Sequence, residues 1–494
     1  MRIKKNMVHG VIGLLFLGLY SCNSSQSKEK AVVENEKSKP NIIYILADDM
    51  GYGDLSCYGQ EKFKTPNLDK MAAQGLKFTQ HYSGSTVCAP SRSSLLTGEH
   101  TGHTPVRGNL EVKPEGQHPI PASAVTIAEV LKEANYVTGA FGKWGLGFPG
   151  SEGDPNMQGF DEFYGYNCQR MAHRYYPPYL WHNQEKVAME GNDWKTTQTY
   201  AQDEIQKATL DFIEANKDTS FFAYVPLVLP HAELISPDDT IWKKLENAFD
   251  ETPYEAAEGG DYGESLKIWK YASQKKPKAA FASMIVRSDA YVGQIIDKLE
   301  KLGIADNTIV MFSSDNGPHQ EGGADPDFFK SNGPFKGYKR DLYEGGIRAP
   351  FIAYWPGHIK PGVSDHVSAF WDVMPTFAEL VGISLNTQTD GISFLPELMG
   401  RSDQQQKHPY LYWEFHEKGG RQAVRMGDWK GVVYHVANPA ETTFELFDLS
   451  KDPSESNDVA DENPEVVAKI KDILKSARTE SDTFKFKGST LSGH

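Results

Sequence analysis

Four apolar runs of strand length, each ending in polar residues, determine the predicted architecture of this chain. They are NIIYILADD at 41–49, YVTGAFGKW at 136–144, SFFAYVPLVLPH at 220–231 and NTIVMFSSDNG at 307–317. Continuous apolar strands are typical of a sheet buried on both faces. Between two of them, residues 281–302 repeat apolar side chains at helical spacing, and Gly303 predicts the end of that helix. Alternating strands and helices predict an α/β fold whose large, mostly parallel or mixed sheet lies between helices.

The pattern changes near residue 405, where shorter segments replace the long apolar runs. HPYLYWEFHE, RQAVRMGDWKGVVYH and TFELFDLSKDP indicate antiparallel strands, and PEVVAKIKDILKSA indicates an amphipathic helix. We therefore predict a main domain over residues 40–404 and a smaller C-terminal α+β subdomain over residues 405–494.

The first residues carry a separate signal. The basic MRIKK precedes the apolar VIGLLFLGLY, which is too short to cross a bilayer as a helix. This pattern predicts an export signal over residues 1–22. The small residue before Cys22 resembles a bacterial lipobox, in which that cysteine becomes lipidated, and ordinary cleavage nearby is the alternative. Residues 23–39 are polar and predict a flexible tether, so we expect a periplasmic protein or a lipoprotein that meets the membrane only through its lipid.

The net charge restricts the possible partners. The 494 residues include 51 Lys and Arg against 66 Asp and Glu, which gives a formal net charge of −15. Loss of Arg2, Lys4 and Lys5 with the export signal would make the chain more negative still. Nucleic acid is therefore not expected as a partner, and an anionic substrate would bind only where local cations create an attractive field.

Cys88 lies in VCAPSRSSLLTG, where Pro90 and Gly98 predict a helix that begins near the cysteine and ends before the glycine. A thiol at a helix N-terminus, with Arg92 one turn further on, is expected to ionise easily. The alternative is a small buried residue that fills space. Of the other cysteines, Cys57 and Cys168 could form a disulfide in an oxidising compartment, although no pattern requires it.

Polar residues follow the four predicted strands, and ligands of such sheets bind at the carboxyl ends of the strands. These residues are Asp48, Asp49, Lys143, His231, Asp315 and Asn316. The carboxylate and amide oxygens of the three aspartates and Asn316 suit Ca²⁺ or, less well, Mg²⁺. Lys143 and His231 would add positive charge and a proton donor. Taken singly, each could instead be a surface or packing residue.

With these residues assembled, the sequence resembles the formylglycine-dependent sulfatases of the alkaline phosphatase superfamily. The resemblance runs in order through NIIYILADDMGYGDL, TPNLDKMAAQGLKFTQHY, CAPSRSSLLTG, GKWGLG, SSDNG and GPFKGYKRDLYEGGIRAPF. It implies that a maturation enzyme oxidises Cys88 to formylglycine, also called 3-oxoalanine. One oxygen of the hydrated aldehyde would attack sulfur, and the other would later expel sulfate.

The same resemblance implies roles for further residues. Ca²⁺ would be held by Asp48, Asp49, Asp315, Asn316 and the modified Cys88. Arg92 would stabilise the diol, Lys143 and Lys339 would bind sulfate oxygens, and His231 would protonate the leaving alcohol. Many relatives have a histidine two residues after the lysine of GKW, where this chain has Gly145. The base of the release step is therefore open between water and another histidine such as His103, and Arg348 is given no role.

The expected function is hydrolysis of sulfate monoesters by an exo-acting enzyme at the end of a sulfated glycan, with galactose-type sulfates suggested by resemblance alone. The loops EHTGHTPVRGN, QRMAHRYYPPYLWHN and YWEFHEKGGRQ supply polar and aromatic groups that can bind a sugar. Their candidates are His103, His173 and His416, and packing between domains is the alternative. Two other functions stay open: a phosphate or phosphonate ester hydrolase of the same superfamily, and a non-catalytic lipoprotein that binds sulfated glycans if Cys88 is unmodified.

Overall fold

The computed structural model describes residues 39–486. The predicted export signal, the lipidation site Cys22 and all but the last residue of the predicted tether lie outside the described residues. Within them, the strands are β1 (Asn41–Ala47), β2 (Leu76–Tyr82), β3 (Glu111–Val112), β4 (Gly116–Gln117), β5 (Val137–Lys143), β6 (Glu162–Tyr166), β7 (Tyr179–His182), β8 (Glu185–Ala188), β9 (Phe221–Pro226), β10 (Thr308–Ser314), β11 (Arg348–Tyr354), β12 (Gly362–Ser364), β13 (Ser368–Ala369), β14 (Leu411–Phe415), β15 (Arg421–Met426), β16 (Trp429–Tyr434) and β17 (Thr443–Asp448). The α-helices are α1 (Pro66–Gln74), α2 (Cys88–Thr97), α3 (Ile127–Glu133), α4 (Ala201–Ala215), α5 (Thr240–Leu245), α6 (Pro277–Leu302), α7 (Pro326–Phe329), α8 (Glu344–Ile347), α9 (Val373–Val381), α10 (Leu395–Leu398) and α11 (Pro464–Ser476).

The main sheet is mixed, with the strand order β12-β2-β11-β10-β1-β9-β5-β6-β7-β8 and with β13 also paired to β2. Its central strands β10, β1, β9, β5 and β6 are parallel. Towards the edges, β11 and β7 run antiparallel to their neighbours.

Alternate side chains of β1 enter two different apolar cores. Ile43 and Ile45 pack with helices α1, α4 and α6 on one face of the sheet, whereas Ile42 and Leu46 pack with α2, α3 and α9 on the other. Every residue of β1 and of β10 is buried, which explains why these strands read as continuous apolar runs. The predicted α/β fold, a large mixed sheet between helices, is therefore confirmed.

Helix α6 ends as predicted. Gly303 follows it in the left-handed conformation, with φ 69°, and its N–H bonds to the carbonyls of Leu299 and Glu300. The helix begins a few residues before the predicted start because Pro277 occupies its first turn, where a missing N–H costs nothing.

The C-terminal strands form a second, antiparallel sheet with the order β14-β15-β16-β17. One face packs against α11 through Val466 and Ile470. The other face packs against the main sheet region, where the Trp413 indole N–H donates to the carbonyl of Ser83 at 2.9 Å. The C-terminal subdomain of strands is therefore present, while its boundary at residue 405 stays a prediction.

Two further observations concern membranes and cysteines. Across residues 39–486, no helix combines the length and apolar character that crossing a membrane requires. Cys57 and Cys168 are separate free thiols, so the disulfide that the sequence allowed does not form in this structure.

Candidate active site

Strands β10, β1, β9 and β5 are adjacent and parallel, so the residues that follow them meet at one edge of the sheet. The structure brings together all the polar residues predicted there, namely Asp48, Asp49, Lys143, His231, Asp315 and Asn316. All six are buried. Lys339, which is distant in sequence, joins them from a loop before α8.

The acidic residues form a compact group of oxygen donors. The Asp49 N–H donates to Asp315 Oδ1 at 3.0 Å, and Asn316 Nδ2 donates to Asp49 Oδ1 at 2.7 Å. Asp48, Asp49, Cys88 and His231 each offer one ligand atom within 4.8 Å of the others. Asn316 Oδ1 is buried without a hydrogen-bond partner among the described residues. The carboxylate and amide oxygens of this group, from Asp48, Asp49 and Asn316, fit a hard divalent cation.

Each of the two neighbouring aspartates is paired with a buried lysine. Lys143 Nζ lies 2.6 Å from Asp48 Oδ2, and Lys339 Nζ lies 2.6 Å from Asp49 Oδ2. Burial is the largest influence on the pKa of both carboxyls and raises it, but the lysines and other nearby cations bring each pKa below its ordinary value. Both aspartates are therefore ionised and can bind a metal.

The side chain of Arg92 is held in place by hydrogen bonds to Asp315 and to the backbone of Lys143. Its Nε and Nη2 donate to Asp315 Oδ2 at 3.1 and 2.7 Å, and its Nη1 donates to the carbonyl of Lys143. Burial, followed by the charge of Asp48, raises the pKa of Asp315 to about 7 in spite of this arginine. The guanidinium is thus held in one orientation, with no freedom to swing away from the centre.

Cys88 begins α2, as predicted, and Gly98 ends the helix in the left-handed conformation with φ 71°. The sulfur lies 3.4 Å from both Asp48 Oδ1 and Lys143 Nζ. The expectation that this thiol ionises easily is wrong. Burial, and then the charge of Asp48, raises its pKa well above the ordinary value, and Lys143 does not offset them.

His231 Nε2 points at the same centre. It lies 3.3 Å from Lys339 Nζ and 3.5 Å from Asp49 Oδ2, while Nδ1 bonds to the carbonyl of Ala232. Burial, then the charges of Lys339 and Lys143, holds the pKa of His231 well below its ordinary value. The imidazole is neutral here, with its Nε2 directed towards Lys339 and Asp49.

Of the three histidines predicted to bind sugar, only His173 contacts the centre. Its ring stacks on His231, with centroids 4.9 Å apart, and lies 5.2 Å from the ring of Tyr271. Its Nδ1 is buried and unpartnered in the part of the chain that the structure describes. His173 therefore lies directly against His231 at this centre.

His103 and His416 lie in other groups of residues. His103 Nδ1 bonds to Asp390 Oδ1 at 2.9 Å beyond the C-terminal end of α2, whereas Cys88 begins this helix of about 15 Å. His416 Nε2 bonds to Glu414 Oε1 at 3.0 Å, and its ring stacks on Phe486. Neither contact connects these histidines to Cys88.

Sequence reasoning missed several residues around the centre. His319 Nε2 donates to the carbonyl of Pro230, and Glu321 Oε1 lies 3.9 Å from Lys339 Nζ. Both follow the SSDNG segment directly in SSDNGPHQEGG, which was the available signal. A side chain at Gly145, where φ is 79°, would approach Gln169 Nε2 to 3.4 Å, so Gln169 lies beside the position where many relatives have histidine.

Comparison with known proteins identifies the class of this protein. Residues 40–383 match the sulfatase family, and residues 335–480 match the family described as N-sulphoglucosamine sulphohydrolase, C-terminal. The chain belongs to the sulfatase family of the alkaline phosphatase superfamily, and it is a sulfuric ester hydrolase.

Similar proteins extend over nearly the whole chain. It is 33% identical to arylsulfatase A of Homo sapiens over 486 residues, which cover 90% of this chain and 89% of that protein. It is 30% identical to the N-acetylgalactosamine-6-O-sulfatase of Bacteroides thetaiotaomicron over 518 residues, with 93% and 97% covered. The crystal structure of Ps i-CgsB in complex with k-i-k-neocarrahexaose superposes with a TM-score of 0.76 and 28% identity, covering 92% of this chain and 96% of that one.

Proposed function

We propose that this sulfatase removes sulfate from the ends of sulfated glycans, using a formylglycine made from Cys88 and a Ca²⁺ ion held by Asp48, Asp49, Asp315 and Asn316. The observation that carries the proposal is the place of the Cys88 sulfur, 3.4 Å from both a buried carboxylate and a buried ammonium at a helix start. A nucleophile at this point would lie beside the Asp48–Lys143 ion pair, so an ammonium would be close to the oxygens on which negative charge develops.

The bound groups would supply two kinds of chemistry. Hydrated formylglycine would offer one oxygen to attack sulfur and a second to expel sulfate, while Ca²⁺ would polarise the oxygens that it binds. Asp48, Asp49 and Asn316 Oδ1, which has no hydrogen-bond partner within residues 39–486, would supply the hard oxygen ligands that this ion prefers.

The remaining roles belong to the side chains of the protein itself. Lys143 and Lys339 would bind sulfate oxygens and stabilise the charge that develops on them. Arg92, held by Asp315, would stabilise the oxygen on residue 88. His231 would protonate the leaving alcohol from Nε2, because an anionic sulfate nearby raises the pKa of an imidazole that is otherwise neutral.

Two observations support a glycan end as the substrate. Cys88 and His231 are only 1% and 3% exposed, so a chain end reaches the centre more easily than an internal sugar does. The names of two similar proteins also refer to carbohydrates. One is an N-acetylgalactosamine-6-O-sulfatase, and the other has a crystal structure in complex with a neocarrahexaose. Export and lipidation at Cys22 would place the enzyme where such fragments arrive.

The test combines mass spectrometry with sulfate release. We expect the peptide that contains residue 88 to carry formylglycine, and we expect the matured enzyme to release sulfate from sulfated mono- and disaccharides much faster than from internal positions of a polymer. Matched phosphate monoesters should be turned over at least about a hundredfold more slowly, because their second negative charge would be repelled by the buried carboxylates of Asp48 and Asp49. Phosphonate monoesters carry the same single charge as sulfate esters, so their turnover is a separate comparison.

The control variants separate the nucleophile from general damage. Cys88→Ala should abolish turnover while leaving the fold intact, whereas Cys57→Ala, at another free cysteine, should keep nearly full activity. An unmodified residue 88 in an active enzyme would refute the formylglycine assignment. Cleavage of aryl sulfates with every sugar sulfate untouched would refute the glycan substrate.

A further inference from the structure

Lys339 occupies a tight turn that its own neighbours close. The Asp341 N–H donates to the carbonyl of Tyr338 at 2.8 Å, and Asp341 Oδ2 accepts from the Tyr338 N–H at 3.2 Å. Lys339 and Arg340 are thus the two central residues of a four-residue turn. The direction in which the Lys339 side chain leaves the backbone depends on this turn.

The turn contains backbone strain beside Lys339. Arg340 has φ 78°, a conformation that turns of this kind usually give to glycine. Such a residue keeps its conformation only when surrounding contacts impose it. Two contacts with the main domain hold Arg340. Its N–H donates to the carbonyl of Thr86 at 3.1 Å, and its guanidinium forms an ion pair with Glu321.

A further contact on the turn comes from the C-terminal sheet. Arg421, the first residue of β15, donates from Nη1 to the carbonyl of Arg340 and to Asp341 Oδ1. Its guanidinium lies over the ring of Tyr434, 4.8 Å from the centroid, so it is fixed on both sides. One side chain therefore holds both the strained peptide and the carboxylate that closes the turn.

We propose that Arg421 is a positioning residue for Lys339. By fixing the turn at Arg340 and Asp341, it keeps the Lys339 amine beside Asp49 and His231, where the proposed function requires it to bind sulfate. The inference rests on that role of Lys339. It gives the C-terminal subdomain a part in sulfate binding although Arg421 itself bonds to the turn and not to the metal ligands.

A double-mutant cycle tests the coupling. The rates of 4-nitrophenyl sulfate hydrolysis are compared for the wild type, Arg421→Ala, Lys339→Ala and the double variant. We expect Arg421→Ala to lower kcat/KM by about tenfold, mainly through a higher KM. In the Lys339→Ala background, the same change should have less than about a twofold effect, because the side chain that it positions is already absent.

Controls distinguish positioning from loss of stability. Arg478 is another arginine of the C-terminal subdomain, and it forms an ion pair with Glu414. Arg478→Ala should lower kcat/KM by less than about threefold, both in the wild type and in the Lys339→Ala variant. If Arg421→Ala fails to fold, Asp341→Asn takes its place in the cycle, because this variant weakens the contact between Arg421 and the Asp341 side chain. Arg421→Lys, which retains one donor, should recover part of the lost affinity.

Different results would overturn the positioning role of Arg421 and the sulfate-binding role of Lys339. Equal effects of Arg421→Ala in both backgrounds, or wild-type kinetics in Arg421→Ala, would overturn the positioning role. Wild-type activity of Lys339→Ala would instead remove Lys339 from sulfate binding, and with it both the proposed role and the inference.

Discussion

At the residue scale, the centre is built from opposite charges that are buried together. Asp48 with Lys143, Asp49 with Lys339, and Asp315 with Arg92 are contacting pairs of nearly inaccessible groups. Such pairs contribute little net stability, because desolvation offsets the attraction, but they fix geometry. His231 lies at the outer edge of this group, next to His173 and Tyr271.

The position of His231 gives a prediction about leaving groups. His231→Ala should lower kcat/KM for sugar sulfates by about a hundredfold or more, and for 4-nitrophenyl sulfate by less than about tenfold. A sugar alcohol leaves as a strong base and needs a proton, whereas nitrophenolate does not. The comparison requires both substrates with the same enzyme preparation.

The matched control is His408→Ala, because His408 bonds to Asp372 and not to the centre. It should change both rates by the same factor. Equal losses on both esters in His231→Ala would exclude His231 as the acid.

Individual residues also show how far the sequence could predict this site. The residues next to strand ends were predictable, because an apolar run that stops in polar residues marks the edge of the sheet. Gln169 was not, because its closeness to Gly145 depends on a loop whose path no local pattern specifies. The ionisation of Cys88 was mispredicted because the sequence shows the helix start but neither the burial of the thiol, which is the largest influence on its pKa, nor the carboxylate of Asp48 beside it.

At the scale of the element, α2 and α6 end in the same way in different surroundings. Gly98 and Gly303 both have φ near 70° after their helices. A Cβ at Gly98 would lie 2.7 Å from Thr389 Oγ1 and 3.2 Å from Met374, while a Cβ at Gly303 would meet no described residue within 4 Å. Alanine at Gly303 would therefore cost only the strain of a left-handed backbone. Alanine at Gly98 would add the cost of steric overlap with Thr389 and Met374.

Alanine at each position tests this difference. Gly303→Ala should lower the free energy of unfolding by about 1 kcal/mol, the cost of a left-handed alanine. Gly98→Ala should cost about 1–3 kcal/mol more, since side chains must move around an overpacked site. Denaturant titration measures both, and equal losses would show that Thr389 and Met374 adjust freely.

Elements differed in how well the sequence predicted them. Strands β1, β5, β9 and β10 and helix α6 were predictable from continuous apolar runs and helical spacing. The antiparallel direction of β11 and β7 was not, because neither apolar content nor spacing encodes the direction in which a strand joins its sheet.

At the scale of the whole molecule, the C-terminal sheet and the loop of Lys339 share a buried ionic contact. Lys430 of β16 is fully buried between Glu344 Oε1 at 2.9 Å and Glu455 Oε1 at 2.8 Å. Glu344 begins α8, shortly after the turn that carries Lys339. Lys430 thus pairs with two carboxylates where the parts of the protein join, and Arg348 also pairs with Glu344.

Removal of this cation should therefore destabilise the whole molecule. Lys430→Met should lower the free energy of unfolding by about 3–5 kcal/mol at neutral pH, because it removes the cation between two buried carboxylates and leaves only Arg348 paired with Glu344. Lys475→Met, at an exposed ion pair on α11, should change it by less than about 0.5 kcal/mol. Chemical denaturation followed by tryptophan fluorescence measures both, and similar small changes would show that water or protonation compensates Glu344 and Glu455.

The burial of Cys88 finally restricts the order of events in the biogenesis of this protein. In the folded chain its side chain is 1% exposed, at the start of a helix that is buried throughout. An enzyme that modifies the cysteine needs this stretch extended and accessible in its own active site. Under the proposed function, oxidation of Cys88 would therefore have to precede folding, and a chain that folded first would keep an unmodified cysteine.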